Sequence, residues 1–284
     1  MTEGLQFPVP TWFVGCGNMG GAMLDGWRAA GTDLSPISVI RPSGTSVEGA
    51  RTVTRFADAG PPPKLVVLAF KPQQLDEIAP ELRKWLTSKT TIVSLLAGVE
   101  AASLAQRFPG ASTIVRAVPN LAVSVRRGVT GLYAAEIPEA LERQLGTLFT
   151  ALGFAMWTLD EERLAALGAI AGAGPAYVAR FIAALAKAAV ARGLSEEIAE
   201  VIARETVLGT AWMAAATGED MASIAARVAS PKGTTEAGLA VLDRDSVLDE
   251  LVSVAIAAAA RRGAELADEA KASAPSLAEP ARLS

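Results

Sequence analysis

Residues 11–23 read TWFVGCGNMGGAM, and three of their glycines, Gly15, Gly17 and Gly20, keep the G-x-G-x-x-G spacing. The glycines follow an apolar run that predicts a strand, and they open a pattern that predicts a helix, as a dinucleotide-binding loop requires. In such loops the first glycine permits a tight turn, the second lets a pyrophosphate approach the backbone, and the third lets helix and strand pack closely. We therefore expect a dinucleotide at the N-terminus of this helix. A purely structural strand–turn–helix is the alternative.

Short apolar runs alternate with helical patterns through the rest of the first half. Strands are predicted at ISVI (37–40), LVVLAF (65–70), TTIVSLL (90–96), STIVRAV (112–118), GVTGLYAA (128–135) and FAMWTL (154–159), and helices over 73–86, 100–107 and 138–152. These strands lack polar alternation, which is typical of a parallel sheet covered on both faces. Residues 1–160 are thus predicted to form a doubly wound α/β domain that binds the dinucleotide.

After about Asp160 the strand patterns stop. Helices are predicted over 175–192 and 195–217, from Thr234 or Thr235, and over 246–272. Because these helices are rich in alanine and broadly apolar, we expect an all-α domain over 161–272 that buries them against each other or against a second subunit. The tail, 273–284, is expected to be disordered.

The amino-acid composition excludes some classes of partner and location. The 284 residues are 51% hydrophobic and 20% charged, with a net charge of −4, so there is no basic excess to bind nucleic acid. The single cysteine, Cys16, precludes an intrachain disulfide and is typical of a reducing compartment. Residues 1–10 lack the features of a signal peptide, and the apolar run 251–260 is too short to span a bilayer. We expect a cytoplasmic protein without a membrane partner.

The chain contains no histidine. This excludes a Ser-His-Asp triad, a Cys-His pair and a histidine-ligated zinc, and we expect no metal site. The chemistry should therefore depend mainly on a cofactor.

The segment after the second predicted strand bears on the choice of cofactor. NAD-specific sites usually carry Asp or Glu here, whereas SVIRPSGTS supplies Arg41, Ser43, Thr45 and Ser46. A cation and hydroxyls favour the 2′-phosphate of NADP, which a carboxylate would repel. We predict a preference for NADP(H) with NAD(H) as the alternative; an ordinary polar loop would explain the same residues.

Two further segments should reach the same edge of the sheet, where ligands of open α/β sheets bind. VVLAFKPQQ places Ala69 to Pro72 after one strand, and LLAGV places Leu96 to Gly98 after the next. Lys71 is predicted to approach the cofactor or merely to begin a helix. The small residues of LLAGV leave room for a nicotinamide.

Two turns in the second half are candidates for ligand contact. In AGAGPAYVARF, Gly172 and Gly174 precede Pro175, so a flat ring could come close, although a plain helix–helix connection would look the same. In ASPKGTTEAGL, Gly233 and two threonines begin a helix whose free N–H groups could bind one carboxylate. Capping alone would also explain the threonines.

Together these segments resemble the pyrroline-5-carboxylate reductase family from about Phe13 to about Ala272. The resemblance rests on FVGCGNMGGAM, LAFKPQQLDEIAPEL with LLAGV, GAGPAYVARFIAALAKAAVARGL and SPKGTTEAGLAVL, with IVRAVPN as a weaker match. The glycine spacing is common to many dehydrogenases, whereas the helical segments and their order are more specific.

The resemblance implies NAD(P)H-dependent reduction of the cyclic imine 1-pyrroline-5-carboxylate to L-proline by a Rossmann-type domain joined to an all-α domain. That helical domain would form a homodimer, which in this family can assemble further. By position, the cofactor would lie on Val14, Gly15, Cys16, Gly17, Asn18 and Met19, on Ala69, Phe70, Lys71 and Pro72, and on Leu96, Ala97 and Gly98. The glycine spacing adds Gly20, and the polar segment after the second strand adds Arg41 and Ser43. The amides of Gly233, Thr234 and Thr235 would hold the carboxylate of the small imino-acid substrate, with Thr206 as the catalytic residue facing the imine nitrogen. We add Asn120, Pro175 and Lys232 as candidate substrate contacts.

The chain also departs from the family pattern. Ala183 and Ala184 stand where relatives carry an acid, Ala171 and Ala173 replace serines, PNLA (119–122) replaces Pro-Asn-Thr-Pro, and Lys232 replaces a glycine. These changes leave a related cyclic imine open as the substrate. A 3-hydroxyacid dehydrogenase would need a lysine early in the first long helix, where the chain has none before Lys187. A non-catalytic NADP-binding sensor would not need the Gly-Thr-Thr segment.

Overall fold

The computed structural model describes residues 5–272, and the predicted tail over 273–284 lies outside them. The chain forms two compact units. Of the described residues, the first comprises those up to Ala173 together with those from Ala259 onward, and the second comprises Gly174–Ala258. The predicted assignment of functions to 1–160 and 161–272 stays a prediction.

An eight-stranded sheet with the order β3-β2-β1-β4-β5-β6-β7-β8 is the centre of the first unit. Its strands are β1 (Thr11–Val14), β2 (Ile37–Ile40), β3 (Arg51–Val53), β4 (Leu65–Leu68), β5 (Thr91–Ser94), β6 (Thr113–Pro119), β7 (Gly128–Tyr133) and β8 (Gly153–Trp157). Neighbours pair in parallel except β6 and β7, which are antiparallel. The order reverses at β1, where doubly wound sheets bind their ligands.

Helices cover both faces of this sheet, since every residue of β1, β2, β4 and β5 is buried. On one face α1 (Asn18–Ala29) and α4 (Glu139–Thr150) pack around Phe13, and the indole N–H of Trp27 donates to the Leu148 carbonyl at 2.7 Å. On the other face α2 (Leu75–Leu82) and α3 (Ala101–Arg107) pack around Trp12. The predicted α/β domain of Rossmann type, followed by an all-α region, is confirmed.

Two local predictions differ from the structure, and one strand was missed. The helix predicted over 73–86 is wrong in extent, because 3₁₀ turns at Pro72–Gln74 and Arg83–Trp85 flank α2, which contains Pro80. Strand β3 was not predicted. The open turn predicted before Pro175 is also wrong: α5 (Glu161–Leu167), a π-helical turn (Gly168–Gly172) and α6 (Gly174–Val190) follow one another as a continuous helical path.

The second unit consists of helices. After α6 come α7 (Glu196–Thr217), α8 (Met221–Val228), α9 (Thr234–Leu242) and the start of α10 (Val247–Ala272). The Ser195 hydroxyl caps α7, and the Asp220 carboxylate caps α8 by accepting from the Ser223 amide at 2.9 Å. Helix α8 was not predicted.

The second unit buries very little of itself. Within Gly174–Ala258, all of which the structure describes, only Ala186, Ala199, Ala203 and Ile224 are buried. Large apolar side chains are exposed on several of its helices, for example Phe181, Leu208, Trp212, Leu251 and Val254. Such a surface is far more apolar than an isolated soluble unit usually exposes.

Among the described residues one helical path, Glu161–Val190, is long and apolar enough to cross a membrane by length and composition. A helix in the core of a soluble protein or assembly can have the same length and composition. The predicted lack of a membrane partner stays a prediction.

Candidate active site

The glycine loop joins β1 to α1 with the geometry that a dinucleotide needs. Gly15 has a φ of +80°, and a Cβ there would lie 2.8 Å from the Ala69 carbonyl oxygen, so a side chain is excluded. A Cβ on Gly17 would meet nothing within 4 Å, which leaves open space over the loop. A Cβ on Gly20 would come within 3.1 Å of the Ala69 Cβ, because α1 packs closely on the end of β4.

The N-terminus of α1 is free of competing groups. Its N-cap, Gly17, makes no side-chain cap, and its first turn carries no acidic residue. The first helical amides, those of Asn18 and Met19, therefore have no acceptor within the helix and can bind an anion. The open space, the free amides and the helix dipole fit the pyrophosphate of a dinucleotide.

Burial raises the pKa of the Cys16 thiol in this loop, an effect that the charge of Arg41 partly opposes. The thiol is thus protonated at neutral pH, which fits a small apolar filler rather than a nucleophile.

The loop after β2 is polar and carries a cation. Arg41 is half-buried and its backbone amide donates to Val53 of β3 at 3.0 Å, so this neighbouring strand fixes where the loop begins. The Thr45 hydroxyl donates to the Ser43 hydroxyl at 3.1 Å in an exposed turn. The first acid after β2 is Glu48, whose carboxylate pairs with Arg28 at 3.2 Å.

The segments after β4 and β5 end at the same edge of the sheet. Ala69 is bound to β1 through its amide, which donates to the Val14 carbonyl at 2.8 Å, and Lys71 is exposed just before the 3₁₀ turn that begins at Pro72. Leu96 is buried, whereas Ala97 is exposed beside Gly98. Of these, Ala97 and Lys71 present surface that a bound nicotinamide nucleotide could contact.

The end of α10 lies against the loop that follows β5. Gly98 has a φ of +75°, and a Cβ there would lie 2.9 Å from the backbone nitrogen of Ala267. The contact requires glycine twice over, for its backbone conformation and for its lack of a side chain. No sequence pattern pointed to this contact, because 169 positions separate the two residues.

Asn120 follows β6 and is 6% exposed. Its Nδ2 donates to the Ala171 carbonyl in the π-helical turn at 3.0 Å, and its Oδ1 accepts from the Val129 amide at 3.2 Å. Backbone groups thus occupy both ends of the carboxamide, although sequence reasoning expected a substrate contact. Pro175 is the second residue of α6, and added Cβ atoms on Gly172 and Gly174 would meet nothing within 4 Å.

An ion pair that sequence reasoning missed lies at the start of α5. Arg116 Nη1 donates to Glu161 Oε1 at 2.6 Å, and the same oxygen accepts from the Ala101 amide at 2.9 Å. Both side chains are largely buried. The pair connects β6, the N-terminus of α3 and the first residue of α5. Its only sequence signal was an arginine within the apolar segment IVRAVPN.

In the second unit Thr206 lies on α7 with an exposed side chain. Its hydroxyl donates to the Ile202 carbonyl at 2.7 Å, so the oxygen retains lone pairs for an incoming donor. A protonated imine is such a donor, whereas a neutral imine nitrogen would need the hydrogen that Ile202 already accepts.

The segment before α9 has a constrained turn. Lys232 has a φ of +58°, and its amide donates to the Glu236 carboxylate. The Gly233 amide donates to the Ser230 carbonyl at 2.9 Å, so it is occupied, whereas Thr234 and Thr235 supply the first free amides of the helix. A Cβ on Gly233 would lie 2.4 Å from the Ser230 hydroxyl.

The first unit therefore brings the glycine loop, the polar loop after β2 and the segments after β4, β5 and β6 to one edge of the sheet. Thr206 and residues 232–235 belong to the second unit. In the described part of the chain no group of acidic or cysteine side chains could hold a metal ion.

Two family models match this chain. One is described as pyrroline-5-carboxylate reductase dimerisation and matches residues 161–266, and the other is described as NADP oxidoreductase, coenzyme F420-dependent, and matches residues 12–98. The first match covers the helical part and the second covers the glycine loop through Gly98.

Known proteins resemble the chain over nearly its whole length. A pyrroline-5-carboxylate reductase of Pseudomonas aeruginosa is 36% identical over 267 residues, 90% of this chain and 96% of the relative. A structure of a pyrroline-5-carboxylate reductase from Coxiella burnetii has a TM-score of 0.82 at 33% identity and covers 92% of this chain and 99% of its own. The Plasmodium falciparum pyrroline carboxylate reductase, solved with NADP bound, has a TM-score of 0.82 at 23% identity, with 91% of this chain and 98% of its own covered, and supports the fold alone.

Proposed function

Since this chain belongs to the pyrroline-5-carboxylate reductase family, we propose that it reduces 1-pyrroline-5-carboxylate to L-proline with NADPH, as the final reaction of proline synthesis. The observation that carries the proposal is 36% identity to such a reductase over 90% of the chain. The resemblance predicted from the sequence is thereby confirmed at the level of the family.

The glycine loop supports the cofactor assignment. Its free helical amides and the open space over Gly17 would hold the pyrophosphate, with the flanking residues Val14 to Gly20 as the cradle. The segments Ala69 to Pro72 and Leu96 to Gly98 would hold the nicotinamide half at the same edge. Bound there, NADPH supplies the hydride that adds to the imine carbon.

Arg41 supports a preference for NADPH over NADH. In the first turn after β2 the chain has a half-buried arginine and the hydroxyls of Ser43 and Thr45, and the nearest acid, Glu48, is engaged by Arg28. A 2′-phosphate gains charge-assisted hydrogen bonds from such a loop, and the hydroxyl of NADH does not.

Proton supply explains why the chain needs no histidine. A cyclic imine can be protonated by water before it binds, and the resulting iminium needs only a hydride. Thr206 would then accept a hydrogen bond from the iminium N–H, since its own hydrogen is held by the Ile202 carbonyl. The chain orients the ring and complements its charge.

The N-terminus of α9 would bind the carboxylate of the substrate. The amides of Thr234 and Thr235 and the helix dipole favour an anion, and Lys232 adds a positive charge beside them. The acid in this first turn, Glu236, accepts from the Lys232 amide. Because the Gly233 amide is held by Ser230, its part would be steric: a side chain there would collide with Ser230 and displace the turn before α9.

We also propose that the protein is a homodimer formed through its helical part, with larger assemblies left open. The match to a dimerisation model over 161–266 and the four buried residues of the second unit support this. The predicted cytoplasmic location and the absence of a nucleic-acid partner stay predictions.

A steady-state assay with two imines tests the function. We expect NADPH oxidation with 1-pyrroline-5-carboxylate, and a kcat/KM at least about a hundredfold lower for 1-pyrroline, which lacks the carboxylate. Equal turnover of both imines would mean that the α9 turn merely begins a helix. Turnover of neither, with NADPH binding intact, would favour the NADP-binding sensor.

Substitutions relative to the family pattern make a related cyclic imine the alternative substrate. Lys232 replaces a glycine of the family pattern, and Ala183 and Ala184 replace its acid. A larger kcat/KM for the six-membered homologue 1-piperideine-6-carboxylate than for 1-pyrroline-5-carboxylate would assign the chain to a related cyclic imine instead.

A further inference from the structure

The carboxamide of Asn120 bridges two parts of the first unit. Asn120 follows the carboxyl end of β6, and its backbone amide donates to the Val129 carbonyl at 3.1 Å. Its Oδ1 accepts from the Val129 amide in return, at 3.2 Å, so Asn120 and the start of β7 are fixed to each other. The side chain cannot turn away without breaking this bond.

The other end of the carboxamide holds the π-helical turn. Nδ2 donates to the Ala171 carbonyl at 3.0 Å, across 51 residues of chain. A π-helical turn shifts the helix hydrogen bonds out of their usual register, and such turns are frequent at functional sites. Here the Asn120 side chain, at the edge of the sheet, donates a hydrogen bond to the Ala171 carbonyl of that turn.

The helical segment before Gly172 is thus fixed at both of its ends. Glu161, its first residue, binds Arg116 of β6 and the Ala101 amide. Ala171, near its end, binds Asn120 just after the same strand. Gly172, the last residue of the π-helical turn, has open space around it, where an added Cβ would meet nothing within 4 Å. The position of this turn relative to the sheet edge therefore depends on the Asn120 carboxamide.

We propose that Asn120 is a positioning residue for the reductase reaction: it holds the π-helical turn so that Gly172, the last residue of that turn, presents its backbone, free of a side chain, to the reacting rings. The inference rests on the proposed function and replaces the expected direct contact of Asn120 with the substrate. Asn120 acts through Ala171, and both ends of its carboxamide are engaged by backbone.

The test uses Asn120→Asp in the full-length protein. The aspartate keeps an acceptor for Val129 and loses the donor to Ala171, so it breaks one bond of the clamp. Asn120→Ser, which removes both carboxamide contacts with a smaller side chain, is the second variant should the first fail to fold. The control is Thr158→Val, which deletes the side-chain hydrogen bonds to the Leu132 carbonyl of β7 and to the Asp160 carbonyl before α5 but leaves the Asn120 carboxamide intact.

Two readouts are required. Amide hydrogen exchange over residues 168–174, measured without substrate, should become about tenfold faster in Asn120→Asp and not in Thr158→Val. The kcat should fall about tenfold, while KM for the imine and the Kd for NADPH stay within about twofold.

Any other pattern overturns the proposal. A raised KM with unchanged kcat and unchanged exchange would show a direct substrate contact. Faster exchange with unchanged kcat would show a bond that stabilises the turn without serving catalysis. Because exchange needs no turnover, a failure of the proposed function, seen as inactivity of the unmodified protein, is distinct from a failure of the clamp.

Discussion

Arg41 stands where a dinucleotide site for NAD carries an acid. We expect Arg41→Ala to weaken NADPH binding by about 1.5–3 kcal/mol and to leave NADH binding nearly unchanged, because only the 2′-phosphate gains from the guanidinium. Fluorescence titration of both nucleotides measures the two dissociation constants. Arg143→Ala is the control, since that arginine pairs with Glu139 on the exposed surface of α4. Tighter binding of NADH than of NADPH by the unmodified protein would contradict the assignment.

Thr206 is expected to act through its oxygen. Thr206→Ala should lower kcat/KM about tenfold or more, because the iminium N–H loses its acceptor, and Thr206→Ser should retain most activity. The matched control is Thr210→Ala, one turn later on α7, whose hydroxyl donates to the Thr206 carbonyl at 2.8 Å. If Thr210→Ala lowers activity as much, the effect belongs to the helix rather than to the hydroxyl.

Gly233 is expected to matter for its missing side chain. Gly233→Val should raise the KM for the imine by a factor of about 100 or more with little change in NADPH affinity, since its Cβ would collide with Ser230 and displace the turn before α9. Gly238→Val, on α9, is the control, because a side chain there meets nothing within 4 Å. Equal KM values for the two variants would remove the turn from the substrate site.

At the scale of elements, periodicity and turn residues predicted the glycine loop, the buried strands and the long helices, because each has a run of apolar residues with clear ends. Strand β3 escaped prediction because it has three residues and begins with the exposed Arg51. The π-helical turn and the contact of α10 with Gly98 depend on tertiary packing, which leaves no local pattern. The capping residue Asp220 could have indicated α8.

The start of α5 depends on the Arg116–Glu161 pair. We expect Glu161→Gln to lower the free energy of unfolding of the first unit by about 1–2 kcal/mol, because a largely buried guanidinium loses its charged partner. Urea denaturation followed by tryptophan fluorescence measures this. Glu162→Gln changes the neighbouring exposed carboxylate and should have little effect. Equal loss in both variants would mean that the pair contributes nothing specific.

At the scale of the whole molecule, the exposed apolar surface of the helical unit favours association with a second copy of the chain. We expect light scattering to give at least a dimer at micromolar concentration, and Trp212→Glu, on α7, to shift it toward monomer. Gln144→Glu, on α4 of the first unit, adds the same charge and should leave the mass unchanged. A monomeric unmodified protein would contradict the proposed assembly.

The four buried residues of the helical unit also bear on how the cell accumulates this protein. If the proposed dimer is the stable form, a newly synthesised chain starts without its partner, and its helices stay open to proteases until two copies meet. Pairing is second order in concentration, whereas degradation of single chains is first order. The steady-state amount of enzyme should therefore rise more steeply than its rate of synthesis, and slow expression should yield disproportionately little protein.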